Sequence, residues 1–353
     1  MIGTKRIMVT GAGGPAGINF IKSLRRATET FRITGIDINQ YHLEWLNKLC
    51  EERYIVPEYT APNYLDKLNE LIRKTKTELV HPQPDGEVAV LSENREKVEA
   101  MLYLPSKETV RICQDKFESG KIWKAAGLPV ADTMFIETEE DMLRAAETFG
   151  YPYWLRASKG FSSRGSTLVT NIDTAKHWIG YWRSRGCEWK FIAQEYLPGD
   201  NIAFQSIWKD GELVTSQARK RLEYIYPYLA PSGCTNTPIV AVTIHRDDVN
   251  KMATDAVLSI DRHATGIFCV DLKCDKKNNP WPTEINAGRF FTTSYFFTRA
   301  GVNMPYIYAK LAFGESIPKA RQYNALPEGL HWIRHIDAPA VLVREGKFKC
   351  STI

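Results

Sequence analysis

Asp271, Glu284 and Asn286 are residues whose types and spacing point to chemistry. Two apolar runs, Ile267 to Leu272 and Pro282 to Ile285, flank the polar residues Asp275 to Pro280, a pattern that predicts a β-hairpin. Glu284 and Asn286 are two apart on the second strand and so share a face, and Asp271 reaches that face from the paired strand. Hard oxygen donors gathered at one point suit Mg²⁺, which proteins hold with one or two carboxylates beside phosphate oxygens and water. A solvated hairpin with ordinary surface acids gives the same pattern, so the rest of the chain has to decide.

A second group of residues is suited to anions. The strand Tyr151 to Arg156 runs into a Gly- and Ser-rich loop, 157–166, that carries Lys159 and Arg164 and leads to the strand Thr167 to Thr170. Exposed amides with cations close on phosphates. The spacing is not that of a Walker A loop, and a surface hairpin accounts equally for the glycines. Further on, Arg219 to Tyr228 mixes cations with aromatics. That mixture suits a single-stranded nucleic-acid platform, a small-molecule pocket, or the cover of a sheet. Arg219 and Arg221 are candidates for gripping a carboxylate, because guanidinium forks match it, and ordinary surface pairing is the competing reading.

The elements that must position these residues begin with a strand, Lys5 to Thr10, a turn containing Gly11, Gly14 and Gly17, and an amphipathic stretch with Ile18, Phe20, Ile21 and Leu24. A second strand, Ile33 to Ile38, ends near Asp37. This is a dinucleotide fingerprint on paper, and its TGxxGxxG spacing resembles extended short-chain reductases. Those enzymes also need a Tyr-x-x-x-Lys pair. Tyr103/Lys107 is interrupted by Pro105, and Tyr306/Lys310 comes far too late. Strands and helices alternate to about residue 105, with Leu65 to Lys74 and Val88 to Met101 helical and Glu78 to Pro82 and Leu102 to Pro105 extended, which predicts a parallel, doubly wound sheet. Asp85 and Glu87 fall at its ligand-facing edge, and both also suit a helix N-terminus.

From Thr109 the pattern changes. Cys113 to Gly127 reads as one helix, Glu139 to Phe149 as another, and Phe191 to Gly199, Ile202 to Trp208 and Val214 to Arg219 as a strand meander. Helices follow at Arg246 to Ile260 and Met304 to Phe313, and Pro339 to Lys347 reads as a last hairpin.

Composition narrows the class. The chain has 353 residues, 44% apolar and 25% charged, enough for more than one core. A net charge of +5 with no block of like charge suits an anionic small molecule better than a nucleic-acid groove. The 7 cysteines are scattered, with no CxxC pair or zinc spacing, as in a reducing compartment. No apolar run approaches the roughly 20 residues that span a bilayer, and no signal-peptide core is present. The expectation is a soluble, cytoplasmic protein.

Taken in order, the Rossmann-like front, Asp115-Lys116, the Arg156 strand with its glycine loop, Gln194 to Gly199, Asp271, and Glu284-Ile-Asn286 resemble the ATP-grasp superfamily, and within it carbamoyl-phosphate-synthase-like carboxylate-amine ligases. The likeness covers roughly residues 3 to 315 and lies in the ordered set. It implies an α/β fold: an N-terminal Rossmann-like (pre-ATP-grasp) parallel sheet over 1–108, then a two-lobed α+β ATP-grasp domain over 109–314. A small lid lobe would span about 125–197, a metal-bearing lobe about 198–314, and a C-terminal segment with a short hairpin 315–353.

The resemblance also implies roles. Lys116 and Arg156 would contact ATP phosphates beneath a flexible lid carrying Lys159, Ser163 and Arg164, and Glu195, Tyr196 and Leu197 would hold adenine. Asp271, Glu284 and Asn286 would carry Mg²⁺, with Mn²⁺ as its substitute, and Arg289 would stabilise the transferred phosphoryl group. Arg219, Arg221, Asp85 and Glu87 would face the substrates. The family's ribose-binding glutamate is replaced by Asn201, beside Asp200, and its Glu-x-Asn-Pro-Arg is stretched to Glu284-Ile-Asn-Ala-Gly-Arg289. The expected activity is ATP-dependent joining of a small-molecule carboxylate to an amine through an acyl phosphate. No nucleic-acid or membrane partner is expected, and a homodimer is the default at this size. The rivals are an NAD(P)-dependent epimerase or reductase and a non-catalytic ATP-binding subunit.

Overall fold

The computed structural model describes residues 4–158, 165–229, 238–336 and 340–347. Its first sheet is parallel, ordered β3-β2-β1-β4, from β1 (Arg6–Val9), β2 (Arg32–Asp37), β3 (Glu52–Ile55) and β4 (Leu79–His81). Ile7, Met8 and Val9 are all fully buried, as expected of a central strand covered on both faces. The helix Pro15–Leu24 starts on a proline, whose missing N–H costs nothing there, and buries Phe20, Ile21 and Leu24. The expected strand at Leu102 to Pro105 is absent: Met101 makes one isolated bridge to Leu79, and Val88 to Met101 resolves into the helix Asp85–Glu93 and a 3₁₀ turn, Arg95–Lys97.

The second sheet is antiparallel, ordered β5-β8-β6-β7, from β5 (Thr133–Ile136), β6 (Tyr153–Ala157), β7 (Thr167–Val169) and β8 (Phe191–Gln194). Helices Glu139–Phe149 and Ile172–Ser184 share a core with Ile136, Tyr153, Leu155, Val169 and Phe191. Alternation along β6 turns Trp154 and Arg156 to the opposite face.

The third sheet is antiparallel, ordered β13-β12-β9-β10-β11-β14-β15. Its strands are β9 (Asn201–Lys209), β10 (Glu212–Tyr224), β11 (Pro238–Ile244), β12 (Gly266–Cys274), β13 (Pro280–Ala287), β14 (Leu330–Ile333) and β15 (Val341–Arg344). Phe204, Phe268, Val270 and Ile285 bury one face against helix Asp247–Ile260. Ala203, Ile207, Ile267 and Cys269 belong to a core that also holds Phe290, Met304 and Tyr308. The tail departs from expectation: β15 pairs with β14, which pairs with β11, so the last strands extend the large sheet. A local hairpin was expected because partners further back in the chain leave no short-range signal.

Candidate functional site

A cleft of about 270 Å³ is lined by residues of the second and third sheets and of the helix Lys116–Ala125. The expected single helix from Cys113 is broken. Helix Lys107–Cys113 ends, and the Asp115 carboxylate accepts from the amides of Phe117 and Glu118 at 3.1 and 3.2 Å, starting a new helix at Lys116. The Lys116 amide also donates to Ser158 O at 3.3 Å, tying that helix end to the second sheet.

One row across the large sheet carries most of the charge. Glu284 stands opposite Asp271, Asp271 opposite Ala203, and Ala203 opposite Arg219. On one side of this row lies Asn286, opposite Cys269, and on the other Asn201, between Lys273 and Arg221. Opposed and next-but-one residues share a face, so all of these side chains project from the same side of the sheet. Ala203 offers only a methyl group, and across it Arg221 Nη2 reaches Asp271 Oδ1 at 2.5 Å. A bulge places Thr283 out of register: its hydroxyl donates to Asp271 O at 3.0 Å, and its carbonyl accepts from Arg156 Nη2 at 3.1 Å.

The carboxylates are ringed by cations. Lys116 Nζ lies 3.6 Å from Glu284 Oε2. Arg289 follows Gly288, whose φ of +84° favours glycine and where an added Cβ would meet Val88 Cγ1 at 2.8 Å. Its guanidinium donates to Asp85 Oδ1 and to Asn286 Oδ1. Burial alone would raise the Glu284 pKa, but Lys116, Arg156 and Arg289 together hold it below the usual range. For Asp271 burial prevails, reinforced by Glu284, so its pKa is raised in spite of Arg221. Burial also lowers the Arg156 pKa, and it opposes the rise that Asp85 imposes on Arg289.

Lys116, Arg156, Glu195, Tyr196, Leu197, Asn201, Arg219, Arg221, Asp271, Glu284, Asn286 and Arg289 therefore line one cleft. Lys159, Ser163 and Arg164 lie outside the described residues. Asp85 joins the cleft through Arg289, but Glu87 does not reach it: it is buried and accepts a hydrogen bond from the Thr10 hydroxyl. Sequence reasoning missed Trp154, Lys273 and Phe291, which also line the cleft. Each stands two residues from a named candidate, Arg156, Asp271 or Arg289, so strand alternation was the available signal for the first two.

Asp271, Glu284 and Asn286 offer two carboxylates and an amide on one face, a donor set that fits a hard cation completing its shell with ligand oxygens and water. Among the described residues no group of three or more His, Cys, Asp and Glu side chains is arranged to hold a metal without such help.

The glycine turn has a packing explanation. A Cβ on Gly13 would meet His42 Cβ at 2.4 Å, and one on Gly17 would meet Gly11 O at 2.6 Å. The Asp37 carboxylate accepts from the amides of Gly13 and Asn39, both at 3.0 Å, leaving a ribose little to displace. These contacts account for the glycines by packing, with no dinucleotide needed. Among the described residues no helix is long and apolar enough to cross a membrane.

A parallel front sheet, a small antiparallel sheet over a cleft, and a large antiparallel sheet bearing paired carboxylates give the chain the fold seen in ATP-grasp proteins. Residues 7–102 match the family model described as PylC-like, N-terminal domain, and residues 115–183 match that of the carbamoyl-phosphate synthase L chain, ATP binding domain. N5-carboxyaminoimidazole ribonucleotide synthase of Staphylococcus epidermidis is 23% identical over 245 residues, 68% of this chain and 61% of that protein. D-alanine–D-alanine ligase of Haemophilus influenzae is 25% identical over 207 residues, 55% of this chain and 66% of that protein. The chain thus spans about three-fifths to two-thirds of the length of these curated relatives. The structure of N5-carboxyaminoimidazole synthetase from Staphylococcus aureus complexed with ADP superposes with a TM-score of 0.72 at 16% identity, covering 93% of this chain and 82% of that one.

Proposed function

We propose that the chain is an ATP-dependent ligase that activates a small-molecule carboxylate as an acyl phosphate and joins it to an amine, releasing ADP and phosphate. The observation that carries this reading is the opposed pair Asp271 and Glu284, held by Arg221 and Lys116 in the same cleft as Arg156 and Arg289. Phosphoryl transfer asks chiefly for positioning and neutralisation of charge, and this arrangement supplies both.

In this reading Lys116 and Arg156 bind the ATP phosphates, while Glu195, Tyr196 and Leu197 hold adenine and Asn201 lies beside the ribose. Asp271, Glu284 and Asn286 would hold Mg²⁺, or Mn²⁺ in its place, which would supply neutralisation of the phosphate charge when bound. Arg289, aimed by Asp85 and Asn286, meets the charge that develops on the transferred group. Lys159, Ser163 and Arg164 belong to the lid above the phosphates, as part of a small lobe at about 125–197 that closes on the lobe at about 198–314. Arg219 and Arg221 face the anionic substrate, whose carboxylate chemistry their guanidinium forks match. A front domain at 1–108, small-molecule substrates, a homodimer and a cytoplasmic setting complete the proposal.

The test is ADP release from ATP and Mg²⁺ with mixed carboxylates and amines, the product being identified by mass spectrometry. A new amide mass formed with ADP supports ligation. Tight NADH binding with no binding of ATP would sink it, and ATP binding without turnover on any pair would favour the non-catalytic subunit.

A further inference from the structure

The cations of the cleft are not equally compensated. Arg221 has Asp271, Arg289 has Asp85 and Lys116 has Glu284. Arg219 lines the same cleft at 1% exposure, and among the described residues no carboxylate lies within ion-pairing distance of it. Its guanidinium makes a long bond from Nη1 to Thr293 O at 3.5 Å, and its Nε, also buried, has no hydrogen-bond partner among the described residues. The guanidinium instead lies over two rings, 4.8 Å from the centroid of Phe291 and 5.6 Å from that of Phe297. Arg221 shares Phe291, at 5.4 Å, which brings a second positive charge close. Burial, aided by Arg221, pushes Arg219 down to about 9.

A buried, uncompensated guanidinium is a costly arrangement, and the ring faces offset it only in part. A bound anion would compensate it, using the fork at which donors remain unused. On this strand it is Arg221, not Arg219, that pairs with Asp271 beside the proposed phosphate site, while the Arg219 guanidinium is turned to Phe291 and Phe297.

We propose that the carboxylate substrate carries a second anionic group, seated on Arg219 against Phe291, several bonds away from the carboxylate that is activated. The inference rests on the ligase reading and names the substrate class for it: acids with two anionic ends joined by a short chain. A second carboxylate and a phosphonate share the chemistry that Arg219 recognises. The carbons between the two ends lie along Phe291, which explains an aromatic wall in a cleft otherwise rich in charge.

The experiment measures ADP release by the full chain with ATP, Mg²⁺ and a fixed amine mixture. Succinate, glutarate and adipate are compared with the monocarboxylates of equal carbon number, and with the corresponding phosphono acids. The wild-type chain is expected to favour the doubly charged acids in kcat/KM by roughly 100-fold or more, because a site built around a charge rejects ligands that leave it unpaired. The dicarboxylate and phosphono series then tell which anion sits on Arg219. Arg219→Met should bring the two classes together, and Arg219→Lys should restore part of the preference. Equal kcat/KM for singly and doubly charged acids in the wild type would overturn the inference and leave the ligase reading standing. Absence of ADP release with every acid would overturn both. The wild-type comparison decides even if the variants fail to fold.

Discussion

Asp271 and Glu284 face each other directly across β12 and β13, and each is paired with a cation from a different part of the chain, Arg221 on β10 and Lys116 at the start of a helix. Like charges in opposed positions destabilise a sheet unless something compensates them. The pair therefore marks a place where the fold accepts strain in order to gather negative charge at one point, with cations held close by.

Glu284→Gln keeps the shape of the side chain and removes its charge. Under the proposed function, ADP release should fall by roughly 100-fold or more, the scale seen when one preorganised charge-stabilising group is lost. The thermal midpoint should fall, because in the folded state the Glu284 charge is attracted by Lys116, Arg156 and Arg289 more than it is repelled by Asp271. Unchanged turnover in this variant would mean that the metal and phosphate assignments are wrong.

Arg289 and Asp85 separate binding from positioning. Arg289→Ala removes the cation itself and should lower kcat by about 1,000-fold. Asp85→Asn leaves the cation but loosens its aim, so a loss of roughly tenfold in kcat with little change in KM for ATP is expected. Equal losses in the two variants would show that Asp85 takes part in the chemistry directly.

Glu87 gives a pH dependence with a definite sign. Burial raises its carboxyl to about 7, against the pull of Thr10 and Tyr64, from an ordinary value of 4.5. Between those two values the folded state holds a proton that the unfolded chain has released, so stability falls as pH rises through this window and levels off above it. The full loss is roughly 3 kcal/mol. Glu87→Gln should flatten that slope in denaturant titrations between pH 4.5 and pH 7. A slope as steep as the wild type's would assign the effect to another group.

Gly13→Ala tests the reading of the glycine turn. The added methyl would press on the backbone of His42, whose carbonyl oxygen stands 2.6 Å away. Relieving that clash should cost roughly 1–3 kcal/mol and lower the thermal midpoint by several degrees. NADH fluorescence should be the same with wild-type and variant protein, since neither binds it. An NADH signal in the wild type that the variant loses would revive the dinucleotide reading.

Much of the cleft was legible because strand parity is local. The hairpin of β12 and β13, the shared face of Glu284 and Asn286, and the strand carrying Arg156 all follow from alternation and turn residues that lie within a few positions of each other. Parity extended by one more step would have added Trp154 and Lys273. Glu87 was misplaced for a related reason. It lies only two residues beyond Asp85, but on a helix that spacing turns the side chain away, and it runs into Thr10 beneath the sheet edge.

By itself the sequence determined many of the strands and helices around the site, which residues share a strand face, and that the residues for handling phosphate occur in one chain. The tertiary structure decided who pairs with whom: Arg221 with Asp271 across the small Ala203, Lys116 with Glu284, and Arg289 with an aspartate 204 residues earlier in the chain. It also left Arg219 buried with no carboxylate in ion-pairing distance among the described residues. Local patterns arise from backbone sterics and from side-chain spacing along one element. Partner choice depends on which elements pack together, and on the bulge at Thr283 and the left-handed Gly288 that re-aim side chains at the junctions.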